Sequence, residues 1–202
     1  GFSTLDRLVA VADITEGNLG GYGWLGRGRG QLGQRRNLGL ITFRNPYLND
    51  SLTSFQLDVY STLTNFLTYF ENKSGVSMTF GRWFSEYIFA SVTPFAERLK
   101  YTDATPDAPE FITLQLGKQS STGLRTMLAR DTRDYFLDPR TGLRTSLGLD
   151  FGSSSLGGTN DFYRVTAGVI KYTPLFFDTR FAVRARYGQV EAFNGKAIPL
   201  AE

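Results

Sequence analysis

Arg130, Asp131, Arg133 and Asp134 bring two guanidinium and two carboxylate groups into five consecutive positions. Guanidinium and carboxylate match each other as planar, bidentate partners, so this spacing suits a fixed ion network more than it suits bond making. The run leads into Asp138, Pro139 and Gly142, whose local chemistry is that of a tight turn. After the turn, Leu143, Thr145, Leu147, Leu149 and Phe151 alternate with Arg144, Ser146, Gly148 and Asp150, one apolar side against one charged side. Arg164, Arg184 and Arg186 take the polar side of two later segments in the same way. A lumen or rim network of Arg130, Asp131, Arg133, Asp134, Arg144, Asp150, Arg164, Arg184 and Arg186 competes with a plainer reading, solvated hairpin ends. With no Cys and no His in the chain, no Ser/His/Asp or Cys/His set can be assembled, and the commonest zinc ligands are absent. No enzyme, no metal site and no cofactor are expected.

A second cluster, Gly26-Arg27-Gly28-Arg29-Gly30, has the composition of an arginine-glycine nucleic-acid patch. The alternative is one strand with Arg27 and Arg29 on the polar face and glycines on the other, allowing curvature or close packing. A formal net charge of +3 is too small to argue for nucleic acid, so no such partner is expected.

The elements that must position these groups are strands. Aromatics make up 14% of the chain and Gly is frequent, a composition that favours antiparallel strands and turns. Alternation predicts ten strands, at about 8–15, 24–34, 38–45, 52–65, 75–83, 88–101, 122–133, 143–152, 162–173 and 180–190, preceded by a stub at Gly1–Thr4. Residues 110–116 also alternate and read as an extension of the seventh or eighth strand. The connections fall into two sets: compact turns such as Glu16–Gly21, Asn45–Asp50, Asp138–Gly142 and Thr173–Asp178, and longer polar loops at 102–121 and 153–161.

A soluble β-sandwich or lipocalin-like barrel and a transmembrane barrel both fit this pattern. The mean hydropathy of −0.20 does not decide, because a membrane strand dilutes its apolar face with a polar one. Three features favour the membrane. The strands are long, the polar faces are rich in Arg with scattered Asp, and aromatics such as Trp24, Tyr47, Trp83, Phe84 and Phe176 gather at strand ends. Residues 1–10 lack the apolar core of a signal peptide, so the chain is expected to be an internal or mature fragment.

The stretch Arg130-Asp131-Thr132-Arg133-Asp134, Asp138-Pro139, Gly142 resembles the strand–turn signature R-D-T-R-D-x-x-x-D-P-x-x-G of the BamA family of the Omp85-type superfamily. Glu16–Gly23 is similar to that family's N-x-x-G-x-G turn and Asn45-Pro46-Tyr47 to its N-P-[YF] turn. Tyr163–Thr166 and Tyr172–Leu175 match a later hairpin, and Gly195–Glu202 resembles the approach to a loop that folds into the barrel. These pieces occur in order over essentially the whole chain.

The resemblance implies an all-β, antiparallel up-and-down transmembrane barrel, a single domain over 1–202, partial relative to the family's sixteen-stranded barrel and without its periplasmic POTRA modules. It implies residence in the bacterial outer membrane. It further implies a non-covalent insertase that assembles outer-membrane proteins through a lateral gate, with Gly1, Phe2, Ser3 and Thr4 as the remnant of the gate strand. The partners so implied are outer-membrane lipids, nascent outer-membrane proteins and assembly-machinery lipoproteins. Asp138, Pro139 and Gly142 would form a periplasmic turn. A small closed barrel acting as a passive pore, with strand 8–15 paired to strand 180–190, and a partner-secretion translocator of the same superfamily are the alternatives.

Overall fold

The computed structural model describes residues 2–3, 7–107, 109, 112 and 116–195. Two short strands, β1 (Phe2–Ser3) and β2 (Arg7–Leu8), pair with each other. Ten longer strands follow: β3 (Ala10–Leu19), β4 (Trp24–Leu32), β5 (Arg36–Asn45), β6 (Thr53–Asn65), β7 (Phe70–Trp83), β8 (Ile88–Thr102), β9 (Gly117–Asp131), β10 (Gly142–Gly152), β11 (Phe162–Pro174) and β12 (Arg180–Ala192). They form one antiparallel sheet in strict sequence order from β3 to β12, each strand bonded to its chain neighbours. Among the described residues β3 and β12 do not pair, so these strands form an open arc and not the small closed barrel held open above. Neither edge strand finds its partner within the arc, which an isolated sheet in lipid could not tolerate.

The expected strands recur with shifted ends. β7 begins at Phe70, five residues before the expected start at Gly75, because Glu71-Asn72-Lys73-Ser74 continues the ladder with β6 and β8 despite its polarity. β9 begins at Gly117 and stops at Asp131, leaving Thr132 and Arg133 to the turn. Of residues 110–116, only Ile112 and Leu116 are described, and neither lies in a strand.

Burial is inverted relative to a soluble domain. Ile14 is 75% exposed and Val183 50%, whereas Glu97 is 7% exposed. Val59, Met78, Leu124, Leu128, Leu147, Leu149, Phe151, Val169 and Val183 all lie exposed on one side of the sheet, at alternate positions along their strands. An apolar face of this extent is stable only against another apolar phase. A small cluster of Leu99, Tyr101 and Ile112, flanked by Tyr69, packs on the opposite side near the 103–116 connection. Among the described residues no helix is long and apolar enough to cross a membrane; strands of 9 to 15 residues are long enough to do so.

The connection from β10 to β11 is held by a buried carboxylate. Asp161 accepts hydrogen bonds from the Ser154 amide at 2.6 Å, the Ser154 hydroxyl at 2.8 Å and the Ser153 hydroxyl at 3.2 Å. The Ser154 amide is the main cause that holds this carboxyl below its ordinary value of 3.8, against desolvation, with the two hydroxyls adding to it. A carboxyl depressed on folding stabilises above its unfolded-state pKa and loses that contribution as pH falls through the lower, folded value. Amide hydrogen exchange at Ser154 is therefore expected to stay protected from neutral pH down to about pH 4 and to lose protection only on further acidification. Asp161→Ala, which removes the acceptor, is expected to remove the protection at neutral pH; an unchanged exchange rate in that variant would contradict the assignment.

Candidate functional site

The polar face carries a ladder of ionic contacts that runs sideways across six strands. Glu97 on β8 is its centre. It accepts from the Tyr60 hydroxyl on β6 at 2.6 Å and from Arg125 Nη2 on β9 at 2.8 Å, and Lys73 Nζ on β7 lies 3.3 Å away. Arg125 also approaches Asp150 on β10 at 3.9 Å, and Asp150 accepts from Arg164 Nε on β11 at 3.1 Å. The Arg125 guanidinium sits 3.9 Å over the Phe95 ring, which fixes its plane on a second side.

Register explains how Tyr60 reaches across a whole strand. Tyr60, Gly75 and Glu97 are direct neighbours on β6, β7 and β8. A Cβ at Gly75 would lie 2.8 Å from Tyr60 Oη and 3.0 Å from Glu97 Cγ, so the missing side chain is the gap through which the hydroxyl passes. Gly75→Val is expected to displace the Tyr60 ring and cost about 1–3 kcal/mol in denaturant unfolding. Tyr60→Phe should cost about 1 kcal/mol alone and nothing further in the Gly75→Val background. Full additivity of the two would show that Tyr60 does not act through this gap.

A second network sits at the β9–β10 turn. Asp131 accepts from Arg133 at 2.8 Å (Nε) and 2.6 Å (Nη2), and Arg144 lies at 3.9 Å. Among the described residues Asp134 forms no ion pair. Its Oδ1 accepts the amides of Tyr135 at 2.8 Å, Arg140 at 3.0 Å and Thr141 at 3.2 Å, which closes the turn backbone. Those amides hold the Asp134 carboxyl below its ordinary range in spite of desolvation, which raises it. Asp138 pairs with Arg180, which also donates to the Pro139 carbonyl at 3.1 Å. Arg140 pairs with Asp178 at 3.2 Å, so the β9–β10 and β11–β12 turns are tied to each other.

The structure thus joins Asp131, Arg133 and Arg144 in one cluster and Asp150 and Arg164 in another. Arg130 lies at the other parity, paired in register with Ile88 and Thr145, on the apolar side. Arg184 and Arg186 occupy the polar parity of β12 and are exposed. Arg27 pairs with Asp13 on β3, and Arg29 is half-buried at the same parity; Gly28 and Gly30 face the other way. Gly1 and Thr4 lie outside the described residues, whereas Phe2 and Ser3 pair locally with Leu8 and Arg7. Tyr60, Lys73, Glu97 and Arg125, the centre of the ladder, were not singled out from the sequence. Their signal was faint: β8 alternates Phe95, Glu97, Leu99 and Tyr101 against Ala96, Arg98 and Lys100, with charge on both faces. The cross-strand partners become visible only with the register.

A domain model described as the Omp85 superfamily domain matches residues 18–202. The chain belongs to the Omp85 superfamily. It is 26% identical over all 202 residues to the outer membrane protein assembly factor BamA of Nitratidesulfovibrio vulgaris, and it spans 26% of that protein's length. Its fold matches the crystal structure of BamA from Haemophilus ducreyi lacking POTRA domains 1–3, with a TM-score of 0.78 at 16% identity, over 97% of this chain and 41% of the other. Omp85 proteins of this kind are bacterial outer-membrane β-barrels, so the exposed apolar face is the lipid face and the ion ladder lines the lumen side of the barrel wall. In that setting each lumenal cation of the ladder meets a carboxylate, and the ladder braces the wall.

Proposed function

We propose that this chain forms part of the barrel of an outer-membrane protein assembly factor that inserts nascent outer-membrane proteins through a lateral gate, without covalent chemistry. The observation that carries the reading is the 26% identity to an assembly factor along the chain's whole length. The physical arrangement is consistent with it. Insertion by strand addition needs an edge that can open beside a wall that does not, and the Tyr60–Arg164 ladder stiffens the wall from β6 to β11. The short segment Phe2–Ser3 would belong to the opening side. Nascent outer-membrane proteins, assembly-machinery lipoproteins and the surrounding lipids are the partners this reading requires.

The proposed orientation puts the compact turns, including Asp138–Gly142, in the periplasm and the 103–116 and 153–161 connections outside the cell. The full-length protein, reconstituted in lipid vesicles, is expected to speed the folding of an added unfolded barrel substrate at least several-fold; equal rates in empty vesicles would refute the assembly reading. Orientation is read independently. A Thr105→Cys variant in intact cells is expected to react with a membrane-impermeant maleimide, and protection until the cells are lysed would reverse it.

A further inference from the structure

On the lipid-facing side, three neighbouring strands change character at one level. β8 presents Ile88, Ala90, Val92, Pro94 and Ala96, then Arg98 and Lys100. β7 presents Phe80, Met78 and Val76, then Ser74 and Asn72, and β9 presents Leu128, Thr126, Leu124 and Thr122, then Ser120 and Lys118. Register aligns these switches into two rows, Ser74–Arg98–Ser120 and Asn72–Lys100–Lys118. The six residues line a shallow groove of about 460 Å³. The end of an apolar band marks the boundary between hydrocarbon and headgroups.

Arg98, Lys100 and Lys118 are all exposed, and among the described residues no carboxylate pairs with any of them. This contrasts with the lumen side of the same wall, where Lys73 and Arg125 both meet Glu97. Lys100 and Lys118 are also directly opposite each other in the ladder, an arrangement of like charges that is unfavourable unless an anion lies between them. Adjacent strands are about 4.8 Å apart and residues two apart on a strand about 7 Å, so the three cations can converge on one or two phosphates. Ser74, Asn72 and Ser120 supply hydroxyl and amide donors around them.

We propose that this patch binds the phosphorylated glycolipid of the outer leaflet through its sugar phosphates. Charge complementarity, headgroup level and position on the loop-bearing rim select that occupant over the phospholipids of the inner leaflet. The inference rests on the orientation proposed above and not on assembly activity; the cysteine labelling tests the orientation separately.

The test uses the full-length protein in phosphatidylcholine nanodiscs containing diphosphoryl lipid A, with bound lipids counted by native mass spectrometry. The Arg98→Gln/Lys100→Gln/Lys118→Gln variant is expected to retain at least fivefold less lipid A than wild type, while Arg184→Gln/Arg186→Gln retains it fully. Dephosphorylated lipid A should be retained by the wild type no better than by the triple variant. Equal retention of lipid A by wild type and triple variant would overturn the proposal, as would equal retention of phosphatidylglycerol in its place or displacement by millimolar inorganic phosphate. Should the triple variant fail to fold, Lys118→Gln alone is read in the same way, with at least a twofold loss expected and no loss overturning the proposal.

Discussion

Glu97→Ala is expected to be the most damaging single substitution in the wall, lowering unfolding stability by about 3 kcal/mol. Three groups converge on this carboxylate, Tyr60 at 2.6 Å, Arg125 at 2.8 Å and Lys73 at 3.3 Å, and its side chain is only 8% exposed. Removing it takes from Lys73 and Arg125 the carboxylate they share, and from the Tyr60 hydroxyl the acceptor it reaches through the Gly75 gap. The damage should spread, because Arg125 loses the partner that holds it between Phe95 and Asp150. Urea unfolding of the full-length barrel in detergent, followed by tryptophan fluorescence or heat-modifiable gel mobility, reads the effect. Arg125→Met in the Glu97→Ala background should recover part of the loss, since it removes one of the two cations that shared this carboxylate. A Glu97→Ala variant within about 0.5 kcal/mol of wild type would show that the ladder is solvated decoration of the lumen.

Gly142→Ala is the second large effect, with an expected cost of about 2–4 kcal/mol. Two independent constraints meet at this position. Its φ is +113°, a region that L side chains rarely adopt, and a Cβ would lie 2.6 Å from the Arg133 Cα, where only backbone movement could relieve it. The turn it closes carries the Asp134 cap on the amides of Tyr135, Arg140 and Thr141 and the Asp131–Arg133 pair, so a shift of the backbone would disturb both. Gly157→Ala separates the two constraints. Gly157 also has positive φ, at +94°, but a Cβ there would meet nothing within 4 Å, so only the conformational cost of about 1 kcal/mol is expected. Similar losses for both variants would remove the steric argument at Gly142.

The parts of the molecule that were legible in the chain are those governed by local rules. The period-two alternation in 143–151, 163–169 and 181–187 predicted β10, β11 and β12 with the correct faces, because side chains on a strand must point alternately to the two sides. Asp138-Pro139 and Gly142 predicted a turn because Pro presets φ and Gly alone accepts φ near +113°. The local signals were weaker at strand ends. Residues 70–74 carry no apolar alternation, since they lie beyond the lipid band, and β7 extends through them because β6 and β8 offer backbone partners on either side.

The charged residues divide in the same way. That Arg144, Asp150, Arg164, Arg184 and Arg186 share the polar side followed from parity alone. Which of them meet did not. Arg130 and Asp131 are adjacent in the chain and therefore point to opposite faces, so the dense charge run 130–134 is split between lipid side, lumen side and turn. Conversely, Tyr60 and Glu97 are 37 positions apart and meet across a glycine.

The sequence by itself determined the strand period, the turn positions and the family whose motifs it carries in order, while which face is exposed came from the structure. Each of these depends on residues close in the chain. The tertiary structure decided the register between strands, and with it the ion ladder centred on Glu97, the gap at Gly75 and the cationic rows on the lipid side. It also decided that β3 and β12 stand apart as edges. Register is a property of pairs of strands, set by many weak cross-strand contacts at once, and no single segment contains it.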